Sequence, residues 1–199
     1  MRTLAFDTSG AACSIALFED GALIAERHES VGRGHAERLI PWIAGLPAGG
    51  RADVIIVGCG PGSFTGVRIG IAAARALALG WAVPVMGVSS LALIAAGCDA
   101  GIVTVAVEAG HGELFIQRFS SNPVTPLDVL RSCLPADVEG APGNIVLGSG
   151  AERLVAAWGY GSASPAEARA AHVAHLPTAL TNLPPTPIYG RGPDAKPMP

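Results

Sequence analysis

A glycine-rich turn between an apolar strand and a long helix constrains the fold of this chain more than any other feature. The turn is residues 60–66, GPGSFTG, and it follows the apolar run 53–58. Continuous apolar runs are typical of strands that a parallel sheet buries on both faces. The residues from 64 to 80 have the composition of a helix. A strand, a tight turn and a helix in this order predict an α/β fold.

The turn has two interpretations that its pattern leaves open. Glycines allow close backbone approach, and Ser63 and Thr65 can cap the free N–H groups where the helix begins, so the turn can hold an anion. A P-loop, however, needs a lysine after its second glycine, and Lys196 is the chain's single lysine. The second interpretation is that the glycines let the turn and the helix pack tightly against the sheet.

Composition limits the classes of partner. The 199 residues are 50% hydrophobic and 15% charged, which predicts a large core together with an apolar surface or interface. The net charge of −3 does not predict a basic surface for binding nucleic acid. If the protein acts on RNA, we expect another protein to hold the RNA.

Cysteines, the N-terminus and the apolar stretch 69–88 bear on the compartment. The four cysteines are widely spaced without a Cys-x-x-Cys pair, which predicts reduced thiols and no metal site. The N-terminus has no apolar signal region, so we expect a cytoplasmic protein. Arg75, Gly80 and Pro84 divide the stretch 69–88 into a helix and a strand, so we expect no membrane span.

Hydrophobic periodicity and turn signals predict the order β-β-β-α-β-α-β-α for the first half. The predicted strands are 3–7, 13–18, 22–29, 53–58 and 83–88, and the helices are 35–46, 64–80 and 89–96. The pattern restarts incompletely with strands 102–107, 114–119 and 144–147 and a helix at 151–158. We therefore predict two related lobes, 1–98 and 99–182, and a proline-rich extended tail, 183–199.

The end of the first strand carries a candidate nucleotide site. Asp7 can orient a magnesium-bound water and Thr8 can approach a phosphate, together with Gly62, Ser63 and Thr65 of the turn. The alternative is an ordinary strand-ending turn held by side-chain hydrogen bonds. Local sequence leaves both open.

Helix 64–80 carries a candidate protein interface. Glycine or alanine recurs every four residues, at 66, 70, 74 and 78, which predicts a smooth flank for another helix. Arg68 and Arg75 share a face and can border a contact with carboxylates. Small and apolar residues cover most of the helix, so a second partner is expected. Including the apolar face of helix 35–46, the predicted contact residues are Leu39, Ile43, Leu46, Val67, Arg68, Gly70, Ile71, Ala74, Arg75 and Ala78.

Five segments together carry a resemblance to a known family: LAFDTS (4–9), HAERLIP (35–41), the turn and helix start 60–70, PVMGVSSL (84–91) and PIYGRGPDAK (187–196). With these segments the chain resembles the TsaB (YeaZ) family, the non-catalytic dimerisation subunit of the bacterial machinery that makes threonylcarbamoyladenosine in tRNA. The resemblance extends over residues 1–120 and is patchy beyond.

The resemblance implies an actin-like ATPase (ASKHA, ribonuclease H-like) fold with two lobes of β-β-β-α-β-α type, the second shortened between residues 130 and 183. It implies pairing with a TsaD-like catalytic paralogue through the first two helices of each chain, and homodimers through related surfaces. A TsaE-like ATPase would join the assembly, and tRNA would contact this chain only through the complex. ATP and metal are expected on the partner subunits, with no cofactor required by this chain.

The resemblance also implies that this chain lacks the paralogue's catalytic metal site. The paralogue's paired histidines correspond here to Ser90 and Ile94, and neither side chain replaces an imidazole at a metal. We therefore predict an accessory scaffold that is not an enzyme. The alternative is a small-molecule phosphotransferase or ATPase of the actin-like superfold that uses Asp7 and the loop 60–66. The chain departs from the family pattern at 108–110 and at Gly190.

Overall fold

Two β-sheets organise the chain, one in each half. The computed structural model describes residues 1–140 and 144–190. The strands are β1 (Arg2–Asp7), β2 (Ala12–Glu19), β3 (Ala22–Ser30), β4 (Val54–Gly58), β5 (Val85–Val88), β6 (Ile102–Gly110), β7 (Glu113–Ser121), β8 (Val124–Pro126), β9 (Arg131–Cys133), β10 (Ile145–Leu147) and β11 (Ser162–Ser164). The α-helices are α1 (His35–Ala44), α2 (Phe64–Trp81), α3 (Ser90–Ala95), α4 (Ala151–Trp158) and α5 (Thr178–Thr181).

The first sheet has the order β3-β2-β1-β4-β5. Strands β1, β2 and β3 are antiparallel, whereas β1, β4 and β5 are parallel. Alternate residues of β1 and β4 enter two different hydrophobic clusters on opposite faces of the sheet. Burial on both faces explains why these central strands are continuous apolar runs. The predicted α/β actin-like fold is confirmed.

The second sheet repeats this arrangement in a shorter form. Its order is β11-β10-β6-β7-β8, with β6 and β7 antiparallel and β10 parallel to β6. The step from β10 through a glycine turn to α4 repeats the step from β4 to α2. Strands β8 and β9 have three residues each where the first lobe has the nine-residue β3. A 3₁₀ turn at Pro135–Asp137 lies where the first lobe has α1. The second lobe is shortened, as expected.

One hydrophobic cluster joins the two sheets. Helix α3 packs with Ile56 of β4 and with Val103 and Phe119 of the second sheet. The 3₁₀ segment Ala170–His175 returns to the first sheet, where the Ala170 N–H donates to Ser14 Oγ at 2.8 Å. Because both sheets share this core, the lobe boundary between residues 98 and 99 stays a prediction.

Helices α1 and α2 lie close to their predicted limits. Helix α2 begins after Ser63, whose Oγ accepts from the Gly66 N–H at 3.2 Å, and it ends at Trp81. Helix α1 ends at Ala44, not at Leu46 as predicted. The chain turns at Gly45, and a 3₁₀ turn begins at Pro47, which cannot donate a helical hydrogen bond. None of the described helices has the length and apolar character that a bilayer span requires.

Segment 183–190 contains no helix, and it packs against the first lobe. Its first residue forms a short antiparallel bridge with Gly87, with N–H to oxygen distances of 2.6 and 3.0 Å. Further along, the Ile188 N–H donates to the Cys59 carbonyl oxygen at 2.8 Å. The rest of the predicted tail, 191–199, lies outside the described residues. The described segment is thus an integral part of the first lobe.

Burial makes two of the four cysteine thiols unreactive. It raises the pKa of Cys13 to about 12 and that of Cys59 to about 11, so at pH 8 neither forms appreciable thiolate. We expect an aromatic disulfide reagent at pH 8 to titrate the half-buried Cys98 and Cys133 in the native protein, and all four thiols in denaturant. Fast labelling of Cys59 would contradict the packing of segment 183–190, because the Pro184 carbonyl oxygen lies 3.8 Å from its Sγ.

Candidate functional site

Asp7 ends β1 in an enclosed position. Its side chain is 1% exposed. Oδ1 accepts from the N–H and the hydroxyl of Ser9, both at 2.7 Å, and Oδ2 accepts from the Ser90 hydroxyl at 2.5 Å. Burial raises the pKa of the Asp7 carboxyl, and these three hydrogen bonds act in the opposite direction. The carboxylate therefore accepts its hydrogen bonds from donors of this chain.

The glycine-rich turn packs directly on the residues that follow Asp7. The buried Thr8 hydroxyl donates to the Gly66 carbonyl oxygen at 2.7 Å, and the Ser63 N–H donates to the Ser9 carbonyl oxygen at 2.7 Å. A Cβ at Gly66 would overlap the Thr8 carbonyl oxygen, and one at Gly62 would overlap that of Ser9. The glycines are required because backbone meets backbone here.

The structure thus brings the five candidate nucleotide-binding residues together, but most of their polar groups already form hydrogen bonds within this chain. Asp7, Thr8 and Ser63 form the hydrogen bonds described above, all with groups of this chain. Gly62 is half-buried, and Thr65 is exposed. This geometry supports the packing interpretation of the turn. Phosphate binding would require several of these hydrogen bonds to break.

A cleft of ≈ 1130 Å³ lies beside the turn, between the two lobes. Its walls come from the glycine-rich turn, the hairpin of β6 and β7, and segment 183–190. Most of the lining is apolar, and its charged side chains are Arg68, Glu108 and Glu167. Two acidic groups and one basic group do not complement a polyphosphate. The cleft is large enough for a small molecule, but its charge does not favour a nucleotide.

The stripe of small residues on α2 faces this chain's own sheet and not a partner. A Cβ at Gly70 would lie 2.6 Å from Thr8 Oγ1. The hydrophobic and small members of the predicted contact set that are buried in the core are Leu39, Ile43, Val67, Gly70, Ile71, Ala74 and Ala78. Leu46 is half-buried beyond the end of α1. The turn needs a helix that approaches the sheet closely, and small residues permit that approach.

The exposed face of α2 also carries apolar residues, and the predicted set omitted them. Ala72, Ala76 and Leu79 form one row at helical spacing, and Leu79 is 86% exposed. On α1, Ile40 is 45% exposed. Both helices pack through their buried faces into the same cluster on one side of the first sheet, so these exposed rows face the same side. The sequence signal for this face was that small and apolar residues surround most of the circumference of α2.

The two predicted contact arginines, Arg68 and Arg75, are exposed on α2 and hold segment 183–190. Arg75 donates to the Pro185 carbonyl oxygen at 2.8 Å, and Arg68 donates to the Tyr189 hydroxyl at 3.1 Å. These contacts span more than a hundred residues of sequence. Within residues 1–140 and 144–190, neither arginine forms an ion pair with a carboxylate.

Ser90 and Ile94, the two positions that the resemblance matches to the paralogue's metal ligands, lie in the core. Ser90 and Ile94 are 1% and 5% exposed, and the Ser90 hydroxyl accepts from the Gly60 N–H at 3.1 Å. In the described part of the chain, no three histidine, cysteine, aspartate or glutamate side chains are grouped as a metal site. The polar group at Ser90 serves to connect β1, the turn and α3.

Comparisons with known proteins identify the family. The family model described as TsaD, tRNA N6-adenosine threonylcarbamoyltransferase, matches residues 27–134. The tRNA threonylcarbamoyladenosine biosynthesis protein TsaB of Escherichia coli is 42% identical over 124 residues, which cover 58% of this chain and 53% of that protein. An uncharacterised protein of Mycobacterium tuberculosis is 33% identical over 98% of this chain and 94% of its own length.

A solved structure agrees with these sequence matches over nearly the whole chain. YeaZ from Pseudomonas aeruginosa superposes with a TM-score of 0.80 at 26% identity, covering 94% of this chain and 99% of that one. The sequence match thus spans about half the length of the E. coli relative, while the fold match spans nearly all of the Pseudomonas protein. The chain belongs to the TsaB (YeaZ) family.

Proposed function

We propose that this chain is an accessory subunit that binds and activates a TsaD-like transferase, which attaches threonylcarbamoyl to the tRNA adenosine beside the anticodon. The observation that carries the proposal is the exposed apolar row Ala72, Ala76 and Leu79 on a helix whose other face is already buried. An exposed apolar face on a two-helix layer is typical of a protein contact.

The relatives support the identity of the partner. The matched family model, described as a TsaD transferase, covers both α1 and α2. A partner of the same fold would carry two equivalent helices, and their packing on α1 and α2 would form a four-helix contact. Without that partner, the same row would pair two copies of this chain. The net charge of −3 supports contact with tRNA only through the complex.

The enclosed turn supports a non-catalytic role. Asp7 and Thr8 are bonded inside the lobe, and the paralogue's ligand positions correspond to the buried Ser90 and Ile94. ATP and metal chemistry would then belong to the partner subunits, including a TsaE-like ATPase. This chain would contribute its helical face.

Association with the transferase is the direct test. The chain and the TsaD-like chain of the same organism are co-expressed, purified through a tag on the partner, and measured by size exclusion with light scattering. We expect a heteromeric complex, and we expect formation of the modified tRNA to require both chains. Failure to associate, or full transferase activity without this chain, would refute the proposal.

Calorimetry of the isolated chain with ATP and Mg²⁺ tests the alternative, a phosphotransferase or ATPase. We expect no binding at micromolar nucleotide, because the Asp7 carboxylate and the Thr8 hydroxyl already hydrogen-bond within the lobe. Asp7→Asn is the matched control. Micromolar binding that Asp7→Asn abolishes would favour the enzyme over the scaffold.

A further inference from the structure

An exposed cluster of two aromatic rings and a guanidinium lies at the start of α2. Phe64 and Tyr189 are 57% and 55% exposed, and their ring centroids are 6.0 Å apart. The Arg68 guanidinium lies 3.6 Å from the centroid of the Phe64 ring and donates to the Tyr189 hydroxyl at 3.1 Å. We call Phe64, Arg68 and Tyr189 the aromatic–arginine cluster.

The cluster is continuous with the exposed row of α2. Arg68 precedes Ala72 by four residues, and Ala76 follows by four more, so the three side chains lie along one helical ridge that ends near Leu79. Tyr189 lengthens this ridge beyond the first turn of the helix, although it comes from the C-terminal segment. The exposed surface is therefore built from two parts of the chain.

The charge of this surface indicates what it fits. Helix α2 contains Arg68 and Arg75 and no acidic residue, although the whole chain has a net charge of −3. Both arginines donate to neutral oxygens, of Tyr189 and Pro185, and a neutral acceptor does not compensate a positive charge. Among residues 1–140 and 144–190, the surface therefore combines apolar side chains and two rings with two arginines that form no ion pair.

We infer that the aromatic–arginine cluster is part of the surface that binds the catalytic partner, and that it receives an apolar side chain flanked by a carboxylate of that partner. This inference rests on the proposed function, because it adds the C-terminal segment to the face proposed there. Aromatic and arginine side chains are the types most often found at the energetic centre of interfaces. Segment 183–190, held to α2 by the hydrogen bonds of Arg68 and Arg75, then enlarges the binding surface of that helix.

Affinity for the purified TsaD-like chain tests the inference. We expect Tyr189→Ala and Phe64→Ala each to weaken binding at least about tenfold, and Tyr189→Phe, which keeps the ring, to weaken it less than about threefold. Arg68→Gln should weaken binding and reduce its dependence on salt, because it removes a charge. Tyr160→Ala is the matched control, since Tyr160 is 40% exposed on the second lobe and distant from α2 in sequence.

The outcomes separate the two proposals. Wild-type affinity in both Tyr189→Ala and Phe64→Ala, with binding lost in Leu79→Glu, would overturn the cluster and leave the proposed function standing. Wild-type affinity in all three variants would overturn both. Equal losses of affinity in Tyr189→Phe and Tyr189→Ala would show that Tyr189 matters only through its hydroxyl bond to Arg68, which holds the segment in place. That result would also overturn the inference. Unchanged thermal unfolding of each variant shows that it remains folded.

Discussion

Replacing Leu79 with glutamate is expected to abolish association with the transferase while leaving the chain folded. Leu79 is 86% exposed, so the substitution removes no core contact and should change the free energy of unfolding by less than about 0.5 kcal/mol. Inside a closed helical interface, however, the carboxylate would be buried without a partner. Such burial costs several kcal/mol, which corresponds to a loss of affinity of at least about a thousandfold.

The measurement is the affinity of Leu79→Glu for the TsaD-like chain, with circular dichroism and thermal unfolding to show that it is folded. Val129→Glu is the matched control, since Val129 is 75% exposed on the second lobe and should tolerate the same change without loss of binding. Ile40→Glu on α1 should resemble Leu79→Glu. Wild-type affinity for Leu79→Glu would show that α2 is not part of the interface.

Gly70→Leu is expected to destabilise the fold by about 3 kcal/mol, the upper part of the range for overpacking. Even a Cβ would lie 2.6 Å from Thr8 Oγ1, and the displaced Thr8 hydroxyl would lose its bond to the Gly66 carbonyl oxygen. The effect arises inside the first lobe, so any loss of partner binding should follow the loss of folded protein.

Urea unfolding of Gly70→Leu measures this effect, and Ala72→Leu is its control on the same helix. Ala72 lies on the exposed face, so the same side chain there should change the free energy of unfolding by less than about 0.5 kcal/mol. If the two variants were equally stable, α2 would not pack on Thr8 as the structure shows. A stable Gly70→Leu protein that failed to bind its partner would show that Gly70 lies in the interface, as the sequence predicted.

Much of the fold follows from local patterns. The apolar run at β4, the glycine-rich turn and α2 are predictable because a strand buried on both faces leaves no alternation, and a tight turn needs glycine. The end of α1 was misplaced by two residues, because apolar periodicity continues through Leu46 whereas Gly45 and Pro47 turn the backbone. Helix ends depend on capping geometry more than on periodicity.

The candidate site was less predictable, because its contacts join distant parts of the chain. Nothing near Asp7 in sequence shows that Ser90 donates to its carboxylate, or that Gly66 meets Thr8. Likewise, the spacing of Arg68 and Arg75 predicts that they share one face of the helix, but their bonds to Tyr189 and Pro185 depend on where the C-terminal segment lies. Periodicity describes one element at a time and carries no information about such pairs.

The sequence by itself predicted that a glycine-rich turn joins a buried strand to a helix with small and apolar residues around most of its circumference, and it predicted a second partner for that helix. Only the tertiary structure decided which side of the helix meets the sheet and which side is exposed. The glycine and alanine stripe packs on the sheet because the Thr8 and Ser9 backbone leaves no room for a Cβ at Gly66 or Gly62. That close contact turns Ala72, Ala76 and Leu79 to the outside, where the proposed partner would bind.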